Sequence, residues 1–169
     1  LGKQGSNVIL NGRSKERLEE TASRINTQTM LYSCDLSIPG QRDALADAMP
    51  KLDGVCHSAG IIHPFPIRYL NDAQFDKVFD IDAKAPILLT SRLLGKKKLN
   101  DEASIVFISS VASDRAMKDG SVYSASKAAI EAFSRCITHE HANKKIRANC
   151  LKPGLVETPI FDQTDALST

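Results

Sequence analysis

The sequence predicts an α/β protein, a doubly wound parallel sheet of the Rossmann-like, three-layer α/β/α type. Short apolar segments alternate with longer segments of helical pattern along the chain. Some apolar segments are continuous, such as residues 105–108, which is typical of strands covered on both faces. This alternation favours a parallel sheet with helices on both faces. No repeat or linker interrupts the pattern, so we expect a single domain over residues 1–169.

Each element has its own signal in the sequence. Ser14 is a candidate N-cap with acidic residues following it, and Pro153 with Gly154 ends the last strand. The predicted strands are residues 7–10, 30–34, 53–57, 105–109 and 146–151. The predicted helices are residues 14–26, 40–49, 72–98 and 121–141.

Composition and charge argue against several classes of function. The chain is 42% apolar and 25% charged, as in ordinary globular proteins, and its formal charge of +2 gives no support for nucleic-acid binding. No apolar stretch reaches the length of a membrane span. The four cysteines are widely spaced, which predicts neither a metal site nor a disulfide framework and indicates a reducing, cytoplasmic compartment.

Both ends of the chain differ from those of a whole nucleotide-binding sheet. Residues 1–7 resemble the end of a helix and its glycine cap, leading directly into the first strand. A doubly wound nucleotide-binding sheet normally starts with a central strand and a Gly-rich turn. We therefore expect a domain that is incomplete at both ends in this chain and lacks that first strand and turn.

The strongest chemical signal combines Ser110, Tyr123 and Lys127. Tyr123 and Lys127 are four residues apart in a predicted helix and so project from one face. Ser110 follows a buried strand. The arrangement suits carbonyl reduction, in which the hydroxyl holds the substrate oxygen, the phenol transfers a proton and the ammonium stabilises the phenolate. Taken singly, Tyr123 is more often a half-buried helix residue and Lys127 a solvated charge.

Several motifs in order accompany these residues, and together they resemble the short-chain dehydrogenase/reductase family. The resemblance is to its short single-domain branch, like the 3-oxoacyl-acyl-carrier-protein reductases. Ser110 lies thirteen residues before Tyr123, as in that branch. The other matching positions are Asp35 with Leu36, Ser58 to Gly60, residues 146–154 and Thr158.

The resemblance implies a nicotinamide cofactor and hydride transfer between it and a small carbonyl or alcohol. Tyr123 would act as acid or base, Lys127 would also bind the nicotinamide ribose, and Ser110 would bind the substrate oxygen. The family usually forms homotetramers or homodimers through the two long helices. The positions expected at the cofactor are Asn11, Arg13, Asp35, Leu36, Ser58, Ala59, Gly60, Tyr123, Lys127, Pro153, Gly154, Val156 and Thr158.

The stretch of residues 10–15 bears on the choice of cofactor. In nucleotide-binding sheets an acidic residue after the second strand binds the adenosine ribose, whereas an arginine accommodates a 2′-phosphate. This stretch has no carboxylate and offers Arg13 and Lys15. We therefore expect NADP(H) over NAD(H). Asp35 would face the adenine ring, or would instead cap a turn.

The chain departs from the family pattern at two places. Asp82 stands where the family has a catalytic Asn, which helps to hold a water that relays protons from the lysine. A carboxylate there can still accept hydrogen bonds, but it would favour the Lys127 ammonium and oppose a Tyr123 phenolate. We expect a working relay with a shifted pH optimum, or reduced activity. His57 and Ser58 replace the usual Asn pair, and we interpret His57 as structural.

Two other functions stay open at this point. One is a protein of the same fold that binds the cofactor but has little or no turnover and acts as a sensor or scaffold. Asp82 favours it, and the intact Ser110, Tyr123 and Lys127 oppose it. The other is a sugar-nucleotide epimerase or dehydratase, which the short spacing from Ser110 to Tyr123 opposes. Ser109 is a rival to Ser110, although it is more readily a neighbour that lines the cofactor site.

Overall fold

The computed structural model describes residues 2–115 and 117–156, and the predicted site residue Thr158 lies outside them. The described residues fold into two compact units, which are divided between Ala48 and Met49. No helix in the described ranges is long and apolar enough to cross a bilayer.

The first unit is a parallel strand pair with two helices. Its strands pair in register from Val8 with Thr29 to Gly12 with Ser33. Ser14 caps the first helix, since its side chain accepts the N–H of Arg17 at 3.2 Å. The elements are β1 (Val8–Gly12), α1 (Lys15–Ala22), β2 (Thr29–Ser33) and α2 (Pro39–Ala48).

The second unit contains a three-stranded parallel sheet of order β3-β4-β5. Ile105 in the central strand pairs with Val55 on one side and Ala148 on the other. Parallel neighbours require helical crossovers, which the intervening helices supply. The elements are β3 (Leu52–His57), α3 (Asp72–Phe79), α4 (Ala85–Gly95), β4 (Leu99–Ile108), α5 (Ser121–Glu140) and β5 (Arg147–Leu151).

The core of this unit lies between the sheet and helices α4 and α5. Phe107 of the central strand is fully buried, meets Phe133 of α5 edge-on at 6.1 Å and stacks on His57 at 4.9 Å. Ile105 and Ile130 are also buried. Burial of the side chains of Phe107, Ile105 and Ile130 away from water stabilises the fold by on the order of 2 kcal/mol each. Their packing fixes α5 against the central strand.

The prediction of an α/β fold with parallel strands and flanking helices is confirmed, but the long helix predicted at residues 72–98 is divided. A π turn, Asp80–Lys84, separates α3 from α4, and the N–H of Ala85 reaches back to the carbonyl of Asp80. Pro86 accounts for the interruption, because it has no N–H for the carbonyl of Asp82 and its ring crowds that group. The break places Asp82 on the inner side of the turn, 1% exposed.

Candidate active site

Helix α5 presents a polar stripe on its buried side. Tyr123 and Lys127 are 9% and 4% exposed, so the predicted i, i+4 pair does share the inner face of the helix. Ser110 follows β4 at the carboxyl end of the central strand. Asp82 comes from the π turn. The four predicted catalytic side chains therefore come from three elements of one compact unit.

The hydroxyl of Ser110 lies beside the phenol of Tyr123. The N–H of Ala112 donates to Ser110 Oγ at 3.1 Å, which uses the serine oxygen as an acceptor. The Ser110 side chain acts to lower the pKa of the Tyr123 phenol, which is the effect of a nearby hydroxyl that favours the phenolate. The two hydroxyl groups are therefore neighbours.

The pKa of Tyr123 is raised above its ordinary value, whereas the sequence suggested that the neighbouring lysine would lower it. Burial is the largest cause, the bond from Ser110 opposes it, and the charge of Asp82 adds to it. The ammonium of Lys127 lies 5.4 Å from the centroid of the Tyr123 ring. In this arrangement the phenol is held in its protonated form at neutral pH.

Lys127 is enclosed by acceptors. Its ammonium donates to the carbonyl of Ile108 at 3.2 Å and lies 3.3 Å from Oδ2 of Asp82. The two charged side chains are 5% and 0% exposed. Removing either partner would leave the other as an uncompensated buried charge, which proteins tolerate poorly. The lysine is therefore fixed in place by the acid at position 82.

Asp82 connects Lys127 to the loop after β3. Its Oδ1 accepts the N–H of Ile61 at 2.8 Å, whereas Oδ2 takes part in the ion pair without a hydrogen bond. Burial raises the pKa of this carboxyl, against the opposing influence of Lys127 and of the Ile61 N–H. Asp82 thus touches the lysine directly, where the family pattern suggested a relay through water.

The loop Ser58 to Gly60 passes directly over this ion pair. A Cβ on Gly60 would lie 3.1 Å from Lys127 Nζ and 3.5 Å from both carboxylate oxygens of Asp82. Ser58 and Ala59 are exposed. Gly60 thus brings the loop backbone close to the buried ammonium and to Asp82, whose Oδ2 has the ion pair but no hydrogen bond. These groups fit a nicotinamide riboside, whose ribose hydroxyls need both donors and acceptors.

In the first unit, Arg13 and Arg17 line one open depression of about 460 Å³ together with Gly12, Ser14, Leu18 and Thr21. Arg17 was not among the residues predicted from the sequence; it lies in α1, whereas Arg13 precedes the helix cap Ser14. Both arginines are exposed. Their guanidinium groups make the depression cationic and suited to a phosphate.

Two more predicted cofactor positions of this unit have local structural partners. Asn11 donates to the carbonyl of Tyr32 at 2.9 Å. Asp35 accepts from the N–H and the hydroxyl of Ser37, at 2.9 and 2.7 Å, and these bonds lower the pKa of Asp35. Leu36 follows in the same turn, and its carbonyl accepts from Arg42 at 2.8 Å. The turn-capping interpretation of Asp35 is thus realised, and contact with adenine stays a prediction.

The turn after β5 is hydrogen-bonded to the segment that carries Ser110. The N–H of Val111 donates to the carbonyl of Pro153 at 3.2 Å. Gly154 and Val156 follow with exposed surfaces. The backbone therefore sets the predicted cofactor positions Pro153 and Gly154 beside residues 109–115, the serine loop that carries Ser110.

His57 and Ser109 have structural roles in this arrangement. His57 Nε2 lies 2.8 Å from Thr90 Oγ1, and burial lowers the pKa of the imidazole to about 4. The ring is neutral at physiological pH and unsuited to act as a cation. Ser109 is 3% exposed and directs its hydroxyl to Glu131, so it does not line an open site as the sequence suggested.

Comparison with known proteins points to one family. A family model described as short chain dehydrogenase matches residues 1–167. An uncharacterised oxidoreductase of Staphylococcus epidermidis is 30% identical over 169 residues, covering 98% of this chain and 74% of that protein. A 3-oxoacyl-acyl-carrier-protein reductase of Rickettsia felis is 30% identical over 168 residues, covering 99% and 68%. A solved structure of a short chain dehydrogenase/reductase family protein superimposes with a TM-score of 0.88 at 26% identity, covering 96% and 69%.

The chain belongs to the short-chain dehydrogenase/reductase family. This is a family of hydride-transferring oxidoreductases that use NAD(P)(H) and act on small molecules. The predicted membership is confirmed, and so is the family-level class of chemistry.

Proposed function

We propose that this protein is an NADP(H)-dependent oxidoreductase that interconverts a small carbonyl compound and its alcohol. The observation that carries the proposal is the placement of Ser110 beside the phenol of Tyr123, one helical turn from the buried Lys127. These groups supply an oxygen-binding donor, a proton donor and a fixed positive charge. When bound, the nicotinamide gives or accepts the hydride.

In the direction of reduction, the Ser110 hydroxyl turns from the phenol to the substrate oxygen and donates to it. Tyr123 then gives its proton to that oxygen as negative charge develops there. Lys127 lowers the cost of the resulting phenolate by its charge. In the reverse direction Tyr123 removes the alcohol proton. The pKa of Tyr123 is raised, so the phenol carries the proton that reduction requires at neutral pH.

The preference for NADP(H) over NAD(H) rests on the first unit. Arg13 and Arg17 border the same depression, and no carboxylate lines it. A 2′-phosphate would be bound there by charge-assisted hydrogen bonds, whereas a free ribose hydroxyl would gain little. Asn11, Asp35 and Leu36 would complete the adenosine side, and Ser58 to Gly60, Pro153, Gly154, Val156 and Thr158 the nicotinamide side.

The relative from Rickettsia felis is named as a 3-oxoacyl-acyl-carrier-protein reductase. We propose the same class of substrate as the first to test with this chain. A β-keto thioester offers the carbonyl oxygen that Ser110 and Tyr123 would bind. We further propose a cytoplasmic homotetramer or homodimer that assembles through α5 and the pair α3 and α4, as the resemblance implies.

A second candidate is a cofactor-binding sensor or scaffold with little turnover. The direct ion pair between Asp82 and Lys127 supports it, because a lysine charge that is already neutralised stabilises the phenolate less. The two candidates bind the same cofactor and differ only in the rate of the chemical step.

Fluorescence titration of the full-length protein with NADPH and NADH side by side tests the proposal. Tight NADPH binding with weaker NADH binding is expected, followed by NADPH oxidation in the presence of an acetoacetyl thioester. Tyr123→Phe should retain binding and lose turnover. Binding without turnover would favour the sensor, and binding of neither nucleotide would overturn both candidates.

A further inference from the structure

We propose that Glu131 is a positioning residue, whose carboxylate, held between Ser109 and Lys152, keeps the serine loop, helix α5 and the turn after β5 in register. The inference rests on the proposed function, because the serine loop carries Ser110, helix α5 carries Lys127 and the turn after β5 contains Pro153. Neither the family resemblance nor the sequence motifs assigned a role to Glu131.

Glu131 lies one helical turn beyond Lys127 on the same inner face of α5 and is 9% exposed. The hydroxyl of Ser109 donates to its Oε1 at 2.5 Å. The ammonium of Lys152 lies 2.8 Å from its Oε2. Each carboxylate oxygen is thus taken by a group from a different segment of the chain.

The charge state of Glu131 matters for this arrangement. Burial alone would raise its pKa, but the hydrogen bonds from Lys152, Ser109 and Ser113 and the charge of Lys152 together more than offset burial, and the pKa of Glu131 is lowered. The group is therefore an anion at neutral pH and accepts at both oxygens. A neutral amide of the same size could keep the bond to Ser109 but would lose the ion pair with Lys152.

The network continues into the loop that carries the substrate-binding serine. Lys152 also contacts Asp114 at 2.5 Å, four residues beyond Ser110. Backbone bonds run in parallel, from the N–H of Ser109 to the carbonyl of Leu151 at 2.8 Å and from Val111 to Pro153. Through its contacts with Ser109 and Lys152, Glu131 connects these backbone hydrogen bonds to helix α5, which carries Lys127. Displacement of Ser110 by even a fraction of an ångström would misalign the substrate oxygen with Tyr123.

Steady-state kinetics with NADPH and an acetoacetyl thioester, on the full-length protein, test this role. Glu131→Gln should lower kcat on the order of tenfold, with the KM for the thioester and the Kd for NADPH changed less than about twofold. Lys152→Met should have the same effect and Lys152→Arg should restore most of the rate. Glu140→Gln, an exposed glutamate of the same helix, is the matched control and should behave as the wild type.

Amide hydrogen exchange of residues 105–115 supplies a readout that needs no turnover. Glu131→Gln should speed exchange at Ser109 and Val111, and Glu140→Gln should not. If Glu131→Gln fails to fold, Ser109→Ala removes the same link from the strand side. Unchanged exchange in the variant overturns the inference whether or not the wild type turns over. A wild type that neither binds NADPH nor reduces the thioester overturns the proposed function instead. A lowered thermal midpoint with unchanged kcat reduces Glu131 to a stabilising residue and also overturns the inference.

Discussion

The ammonium of Lys127 lies 3.3 Å from Oδ2 of Asp82, and both side chains are almost completely excluded from solvent. The lysine that should support a Tyr123 phenolate is thus already balanced by an acid. Because Asp82 also acts to raise the pKa of Tyr123, the pair biases the site toward a protonated phenol. Substitution at position 82 is therefore the most direct probe of the proposed chemistry.

Asp82→Asn should move the pH–rate profile toward lower pH. The amide keeps the size of the side chain and can still accept from the Ile61 N–H, but it removes the negative charge that raises the pKa of Tyr123. Oxidation of a secondary alcohol needs the phenolate, so its rising limb should shift to lower pH and the rate at neutral pH should increase. The measurement is kcat/KM against pH with NADP⁺.

Asp80→Asn is the control for that experiment. Asp80 lies on the same π turn but pairs with Lys84 at the surface, at 2.9 Å. Its substitution should leave the profile in place. Identical profiles for the wild type and Asp82→Asn would remove Asp82 from the proton-transfer step.

Tyr123→Phe should abolish most of the turnover without loss of cofactor binding. The substitution removes the proton donor and the acceptor for Ser110 while the buried ring is retained. We expect kcat to fall by about 10²- to 10⁴-fold, the usual contribution of a positioned acid or base. Tyr69→Phe, at a tyrosine that is 59% exposed, provides the matched control. Retention of activity in Tyr123→Phe would disprove the assigned acid.

The sequence predicted the parts of this site that depend on local spacing. Tyr123 and Lys127 share a face because a helix repeats every 3.6 residues, and Ser110 lies at a strand end because the apolar run stops there. The ion pair of Asp82 and Lys127 depends on how the π turn packs against α5, which no local pattern encodes. The link from Ser109 to Glu131 was missed for the same reason, since its members are 22 residues apart.

The division of the predicted long helix had a readable local cause. Pro86 is the second residue of α4, and a proline within a helical pattern interrupts it about four residues earlier. β4 begins at Leu99, earlier than the strand predicted from residue 105, and no local pattern indicated these additional residues. Leu99 pairs with Leu52, and Glu102 adopts a φ of 65° before the regular ladder resumes at Ser104. Such an irregularity is set by pairing with the neighbouring strand.

Substitution of Arg13 and Arg17 by Ser should weaken NADPH binding and leave NADH binding nearly unchanged. Each charge-assisted bond to a phosphate is worth on the order of 2 kcal/mol, so the double variant should lose at least tenfold in affinity for NADPH. The measurement is the pair of dissociation constants from fluorescence titration. Arg24→Ser, which removes an exposed arginine paired with Glu20, should affect neither. An equal loss of affinity for NADPH and NADH would show that the arginines attract both nucleotides by their charge and do not recognise the 2′-phosphate.

His57 should make the stability of the fold depend on pH between about 4 and 6.5. Burial lowers the pKa of His57 to about 4, below the value near 6.5 of an unfolded histidine. In that window the unfolded chain binds more protons than the folded chain, so acidification lowers the free energy of unfolding. The loss should approach about 2 kcal/mol near pH 4, after allowance for the partial exposure of the residue.

Urea unfolding of the wild type and of His57→Asn at several pH values measures this contribution. The variant loses the contacts with Thr90 and Phe107, so its stability should be lower at pH 8. The difference between the free energies of unfolding of the two proteins should then narrow as the pH falls from 6.5 toward 4. Only the wild type loses stability in this range by keeping His57 neutral in the folded state. Acidification makes the contribution of Asp82 to stability more favourable, because burial raises the pKa of its carboxyl. Asp82 is present in both proteins, so its contribution cancels in the difference between their free energies of unfolding. A gap that stays constant over this range would show that His57 is accessible to protons in the folded state, and would remove it from the buried face of the sheet.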